Sequence, residues 1–236
     1  MKYMQAQFSL KFQPQTRIRR GVNQIEDALS EYYGPAEMTP IPDEIAPEAP
    51  RIILHSKHGH SQISFSQISV DLTVSFDDRY WEDFDATYKY IVERLRILTG
   101  LLKKINIETF CFVGISYIIH LDTENCSPVQ YVADLLSLET GGKNIYEISR
   151  RITSVEEEMF FVNQQVGTFK EYQGVNIPDL MNNKNSRLTA EGASFVLDVN
   201  NRYAFQRTGT LQEIEELDDI ITKIYALIGQ VLKKWR

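Results

Sequence analysis

The chain has 236 residues, 43% apolar and 24% charged, which argues against general disorder and allows a buried core without disulfides or metal. Its net charge of −7 at pH 7 works against nonspecific duplex binding, which depends on neutralising phosphates. Cys111 and Cys126 are its two cysteines; one lies in a strand-like run and the other just before Ser127-Pro128, so a reducing cytoplasm is expected and no disulfide framework. The start, Met1-Lys2-Tyr3-Met4-Gln5, lacks the apolar core of a signal peptide. The longest apolar run, near Phe110 to Ile119, is about half the length that spans a bilayer.

A first strand is expected from Gln5 to Gln13, where Phe8, Leu10 and Phe12 alternate with polar neighbours until Pro14. Arg17 to Tyr33 reads as a helix with Ile18, Val22, Ile25 and Leu29 on one side, stopped by Gly34-Pro35. Glu37 to Pro50, with four prolines, is an extended connector. A three-stranded meander follows. A turn at His58-Gly59 pairs Leu54 with Ile63 and Ile52 with Phe65. A second turn at Ser66-Gln67 pairs Phe65 with Ile68 and Ile63 with Val70. Leu72, Val74 and Phe76 continue the apolar side, while Ser69, Asp71, Thr73 and Ser75 face the other way. That alternation predicts an antiparallel sheet covered on one side only.

Asp77-Asp78 then caps a long helix whose stripe is Trp81, Phe84, Tyr88, Ile91, Leu95, Leu98 and Leu102. Burying seven such side chains contributes on the order of 10–20 kcal/mol before chain entropy is charged against it. This helix is therefore expected to roof the sheet.

The second part begins with a strand from Thr109 to Leu121 and a short helix, Pro128 to Leu138, ended by Gly141-Gly142. Strands are expected at Ile145 to Thr153, Glu158 to Tyr172 and Ala193 to Phe205, with a mobile polar loop at Met181 to Ser186. Thr210 to Glu213 has the pattern of a capping box, opening a final helix with the stripe Ile214, Leu217, Ile221, Ile224, Ile228, Val231 and Trp235. Each member lies 133 positions after its counterpart in the first stripe. The expectation is an α+β protein of two similar halves, residues 1–104 and 105–236. Each would be β-α-β-β-β-α with an antiparallel sheet packed on a long helix.

Candidate sites are few. His55 and His60 share one face of the predicted hairpin, roughly 7–8 Å apart. Zinc would need a further ligand, such as Asp71, and Lys57 opposes it. Asp198 faces away from its strand's apolar row. Paired acids such as Asp77-Asp78 and Asp218-Asp219 are read as solvated faces, and motifs such as G-x-S-x-G, the P-loop, G-x-G-x-x-G, H-E-x-x-H and C-x-x-C do not occur.

Tyr80-Trp-Glu-Asp-Phe84, Gly114-Ile-Ser-Tyr117 and Leu197-Asp198-Val199 together resemble a sporadically distributed, functionally uncharacterised bacterial family of about this length. That family's pattern has Arg before the Tyr and Asn soon after it. This chain has Ser116 and His120 there, a departure from that pattern, so no functional residue is carried over from the family; Asp198, Tyr117 and His120 stand as candidate polar surface on their own. The resemblance implies no established activity, and its patchy distribution points toward mobile-element or defence genes. The element order is similar, in fold alone, to the duplicated saddle of TATA-binding-type proteins.

The leading expectation is a cytoplasmic, non-enzymatic binding or regulatory module that contacts another protein, with no cofactor and no membrane. Two alternatives are a nucleic-acid binder using a curved sheet and a metal-dependent hydrolase at His55 and His60. A homodimer is a further possibility. Tyr80, Ile97 and Leu101 widen the first stripe and Leu211, Ile220 and Leu227 the second, which suits core burial better than a coiled-coil seam.

Overall fold

The computed structural model of the protein describes residues 1–123, 126–139, 141, 144–173 and 187–235. Among them are five α-helices and eleven strands. Nine strands form one antiparallel sheet. Its centre is β1 (Lys2–Lys11) paired with β7 (Phe112–Leu121). Outward from β1 come β5 (Ser69–Ser75), β4 (Ser61–Phe65), β3 (Ile52–His55) and the two-residue β2 (Glu37–Met38). Outward from β7 come β10 (Arg187–Asn200), β9 (Phe160–Gln173) and β8 (Ser149–Glu156). A separate pair joins β6 (Thr109–Phe110) to β11 (Gln212–Glu213).

Period-two alternation gives the sheet its two faces. Phe8 and Leu10 of β1, Leu72 and Val74 of β5, Ile115 and Ile119 of β7, and Phe195, Leu197 and Val199 of β10 are all buried on one side. An irregularity between Tyr3 and Gln5 lets Tyr3 and Ala6 both turn to that covered side. The long helices α2 (Phe84–Lys104) and, at the C-terminus, α5 (Leu217–Trp235) supply the roof. Ile91, Leu95, Leu98 and Leu102 of the first stripe are buried, as are Leu217, Ile221, Ile224, Ile228 and Val231 of the second. Phe84 rests on Tyr3 and Tyr117, and Trp235 stacks on Phe195 with ring centres 4.3 Å apart. Tyr225 bridges the two helices, against Phe84 and Tyr88. None of the described helices is long and apolar enough to cross a bilayer.

Several local expectations are corrected. The stretch from Arg17 is a 3-10 turn over Ile18–Gly21 followed by the short helix α1 (Val22–Leu29), and Tyr33 instead bridges to Ser56. Asp83, not Asp77 or Asp78, caps α2 by accepting from the Ala86 amide. Trp81 lies ahead of the helix, with its indole N–H on the Phe76 carbonyl. The first hairpin has the expected register, but β4 pairs with β5 as Phe65↔Val70 and Ile63↔Leu72. The turn moves to Gln67-Ile68, closed by the Ser66 amide donating to Ser69 and by bonded Ser66 and Ser69 hydroxyls. A two-residue slip preserves which side chains face inward, so alternation alone could not distinguish the two registers.

In the second part, Ser127 caps α3 (Pro128–Leu135) as Pro128 predicts. The last long strand ends at Asn200, and Arg202–Thr208 is a helix, α4, closed by left-handed Gly209. The Thr210–Glu213 capping box does not form, because Gln212 and Glu213 are committed to β6. The predicted loop Met181–Ser186 and Gly142 lie outside the described residues.

Candidate binding face

The face of the sheet opposite the helices is built from the other half of the same alternation. Register places one polar row across eight of the nine strands: His55, Gln62, Thr73, Gln7, Ser116, Asp198, Asn163 and Thr153 are successive cross-strand neighbours. Every member can donate or accept a hydrogen bond. A parallel row runs Ser64, Asp71, Ser9, Gly114, Asn200 and Phe161.

At the middle lies a shallow cleft of about 250 Å³, lined by Gln7, Ser9, Phe112, Gly114, Ser116, Asp198, Asn200 and Arg202. Gly114 makes its floor. A Cβ there would stand 2.7 Å from the Asn200 Cβ, so glycine alone lets Asn200 lean across. Asn200 Nδ2 donates to Asp198 Oδ2 at 2.8 Å, and Asn163 Nδ2 donates to the same oxygen at 2.7 Å. Asn163 Oδ1 in turn accepts from the Thr153 hydroxyl at 2.7 Å and from Arg151 at 3.3 Å. Asn200 Oδ1 accepts from the Arg202 amide. Each amide is thereby fixed in orientation, and the cleft presents a set pattern of donors and acceptors.

Burial pushes the Asp198 carboxyl above its ordinary range, against the two amide donors and the Arg151 charge that favour its anion. Asp71 is held by the Ser9 and Ser69 hydroxyls, with Lys11 at 3.5 Å.

The predicted polar trio separates. Asp198 is in the cleft. His120 is on the same face, but four residues further along β7, about 13 Å away. It stacks on Phe169 with ring centres 4.3 Å apart, and burial holds its imidazole below the usual range, so it is neutral at pH 7. Tyr117 corrects the expectation of a surface position: it is fully buried under α2, its hydroxyl 3.3 Å from that of Thr87, and desolvation drives its pKa up. Its neighbour Ser116 takes the open-face position, because adjacent residues of a strand face opposite sides.

The structure does not join His55 and His60. His55 is exposed, 3.9 Å from Glu37. His60 lies 3.4 Å from Asp77, and its Nε2 is 3.1 Å from the Arg79 guanidinium, a cation where a metal ion would be. Arg79 holds the Asp77 carboxyl below its usual range. Among the described residues, no group of three or more His, Cys, Asp or Glu is arranged to hold a metal ion.

Three features escaped the sequence reading. Asn163 and Asn200 orient Asp198, yet they look like ordinary strand asparagines until register is known. Phe112, Phe161 and Phe169 give the second half of the open face aromatic surface that the Ser/Thr/Asp/Gln face of the first half does not suggest. Arg51 is fully buried, donating to the carbonyls of Pro42, Ile45, Ala46 and Ala49, and so ties down the proline-rich connector. Its only sequence signal is a lone cation among prolines.

No family model matches the chain, and no curated protein matches it.

Proposed function

We propose that this chain is a non-enzymatic cytoplasmic binding or regulatory module that seats a partner protein on the open face of its sheet. The observation that carries this reading is the eight-strand polar row, in which Asn163 is held between Asp198 and Thr153, with Asn200 of the neighbouring row on the same Asp198 oxygen, before any ligand arrives. Such preorganisation lowers the ordering cost of binding. The face mixes charge, with Asp71 and Asp198 beside Lys11, Arg151 and Arg202, which suits a polar protein surface better than a run of phosphates. Away from this face, Arg19 is committed to Asp43 and the carbonyls of Thr39 and Ile41, and Lys103 to Glu215.

The same reading takes the chain as an internal repeat, residues 1–104 and 105–236. The strand order supports it: outward from the β1–β7 seam lie β5, β4 and β3 on one side and β10, β9 and β8 on the other. The seam would then lie at a pseudo-dyad, and the central cleft beside it. The likeness to the sporadic bacterial family is part of this proposal.

The test is Gln7→Trp, which covers the cleft from an exposed position. Wild-type protein enriches one partner from native lysate, measured by quantitative mass spectrometry, and the variant loses it while keeping its thermal melt. Equal enrichment by both proteins contradicts the reading. The nucleic-acid alternative draws on Phe112, Phe161 and Phe169, with Arg202 over the Phe112 ring. A gel shift that weakens with salt would favour it.

A further inference from the structure

A sheet edge presents unpaired N–H and C=O groups, and proteins ordinarily blunt such edges. The two ends of this sheet differ. At one end β2 has two residues, followed by Pro40 and Pro42, in a connector clamped by Arg19 and Arg51. At the other end β8 has eight residues, and among the described residues no strand pairs with its outer side. Seven of its eight side chains are exposed, including Ile152 at 49% and Val155 at 43%.

The β8 sequence is self-complementary. It reads Ser149-Arg-Arg-Ile-Thr-Ser-Val-Glu156, basic near its start and acidic at its end. We propose that β8 pairs antiparallel with β8 of a second copy of this chain, joining the two sheets across a dyad at Thr153.

Symmetry and charge select this register. In a two-fold contact the same patch serves both copies, and cross-strand neighbours must point to the same face. The dyad must therefore pass through a residue pair rather than between residues. At Thr153 it sets Arg150 opposite Glu156 of the second copy, Arg151 opposite Val155, Ile152 opposite Ser154, and Thr153 opposite itself, so one of the two arginines meets a carboxylate. Moving the dyad to Ile152 leaves Arg150 facing Ser154 and Arg151 facing Thr153, with neither charge matched. Moving it to Ser154 takes Glu156 away from Arg150 and sets it against Ile152. That register would also ask Arg150 and Arg151 to meet Glu158 and Glu157, which have left the strand in left-handed backbone at φ 51° and 52°. Parallel pairing would place Arg150 beside Arg150. The Thr153 register also carries the polar row of one open face directly into that of the second copy, through Thr153 and Asn163. Two clefts then share one continuous surface.

The experiment is sedimentation equilibrium on the full chain over a concentration series, for wild type, Arg150→Glu, Glu156→Arg and the double exchange. Both positions are exposed, so the fold tolerates them. Wild type is expected to reach twice the monomer mass. Each single variant creates two like-charge contacts by symmetry and weakens the dimer about tenfold. The double exchange restores the wild-type constant. A monomeric wild type overturns the proposal, as do single variants that dimerise like wild type or a double exchange that fails to recover. Because this readout is mass alone, a monomer that still captures its partner overturns the dimer and leaves the binding reading standing.

Discussion

Each central strand of this protein has two different faces. Ser116 and Tyr117, or Leu197 and Asp198, are adjacent in sequence and belong to different surfaces. On the roofed side, aromatic and branched side chains fill the space under α2 and α5. On the open side, amides, hydroxyls and carboxylates hold one another at fixed angles. The difference teaches where stability and recognition reside: removing a roofed side chain should cost several kcal/mol of stability, while changing an open one should act chiefly on what the protein binds.

Substitutions can break or sharpen that contrast. The largest effect is expected from Phe195→Ala, which empties a fully buried site and strips Trp235 of its stacking partner; the loss in a urea titration should be about 3–5 kcal/mol. Arg51→Met is a sharper test, since a charged residue there behaves as a core residue. It leaves the connector's carbonyls without donors and should cost about 3 kcal/mol. A cost near zero would show that the connector does not need its clamp. Gly114→Ala is next, at about 1–3 kcal/mol, because Asn200 must retreat from the new Cβ. It is the open-face change expected to register in both stability and binding.

Asp198→Asn has a smaller effect with a definite sign. Its folded pKa is raised, so the folded state holds the proton more tightly than the unfolded chain. Its contribution to stability is most favourable at low pH and falls as pH climbs from the unfolded value through the folded one. The variant lacks that fall. Urea midpoints should therefore show it gaining on wild type between about pH 4 and about pH 7. An equal difference at both ends would contradict the raised pKa. Smallest of all is Gln7→Trp, whose stability should stay within about 0.5 kcal/mol of wild type.

Much of the roofed side was legible in the sequence, because hydrophobic period is a local signal. The β3–β4 hairpin and the apolar alternation from Val70 to Val74 could be read directly. Ends were harder. Trp81 fits the helical stripe yet precedes the helix, since Asp83 supplies the cap. Tyr203 and Phe205 continue an alternating pattern through a stretch that is helical. The site was legible only at Asp198. Its partner Asn200 follows two residues later in the same strand, but Asn163, Gln7 and Ser116 come from three other strands, and only long-range register brings those to it. No local pattern carries that information. Tyr117 was misplaced for a related reason, as a one-residue step in a strand changes the face.

The open face as the binding surface is tested most directly by photo-crosslinking. A benzoylphenylalanine placed at Gln7, on the open face, is compared with one at Lys89, on the exposed side of α2. In lysate of the native host, position 7 should yield a covalent protein adduct and position 89 none. An adduct from position 89 with nothing at position 7 would place the partner on the helices and contradict the account.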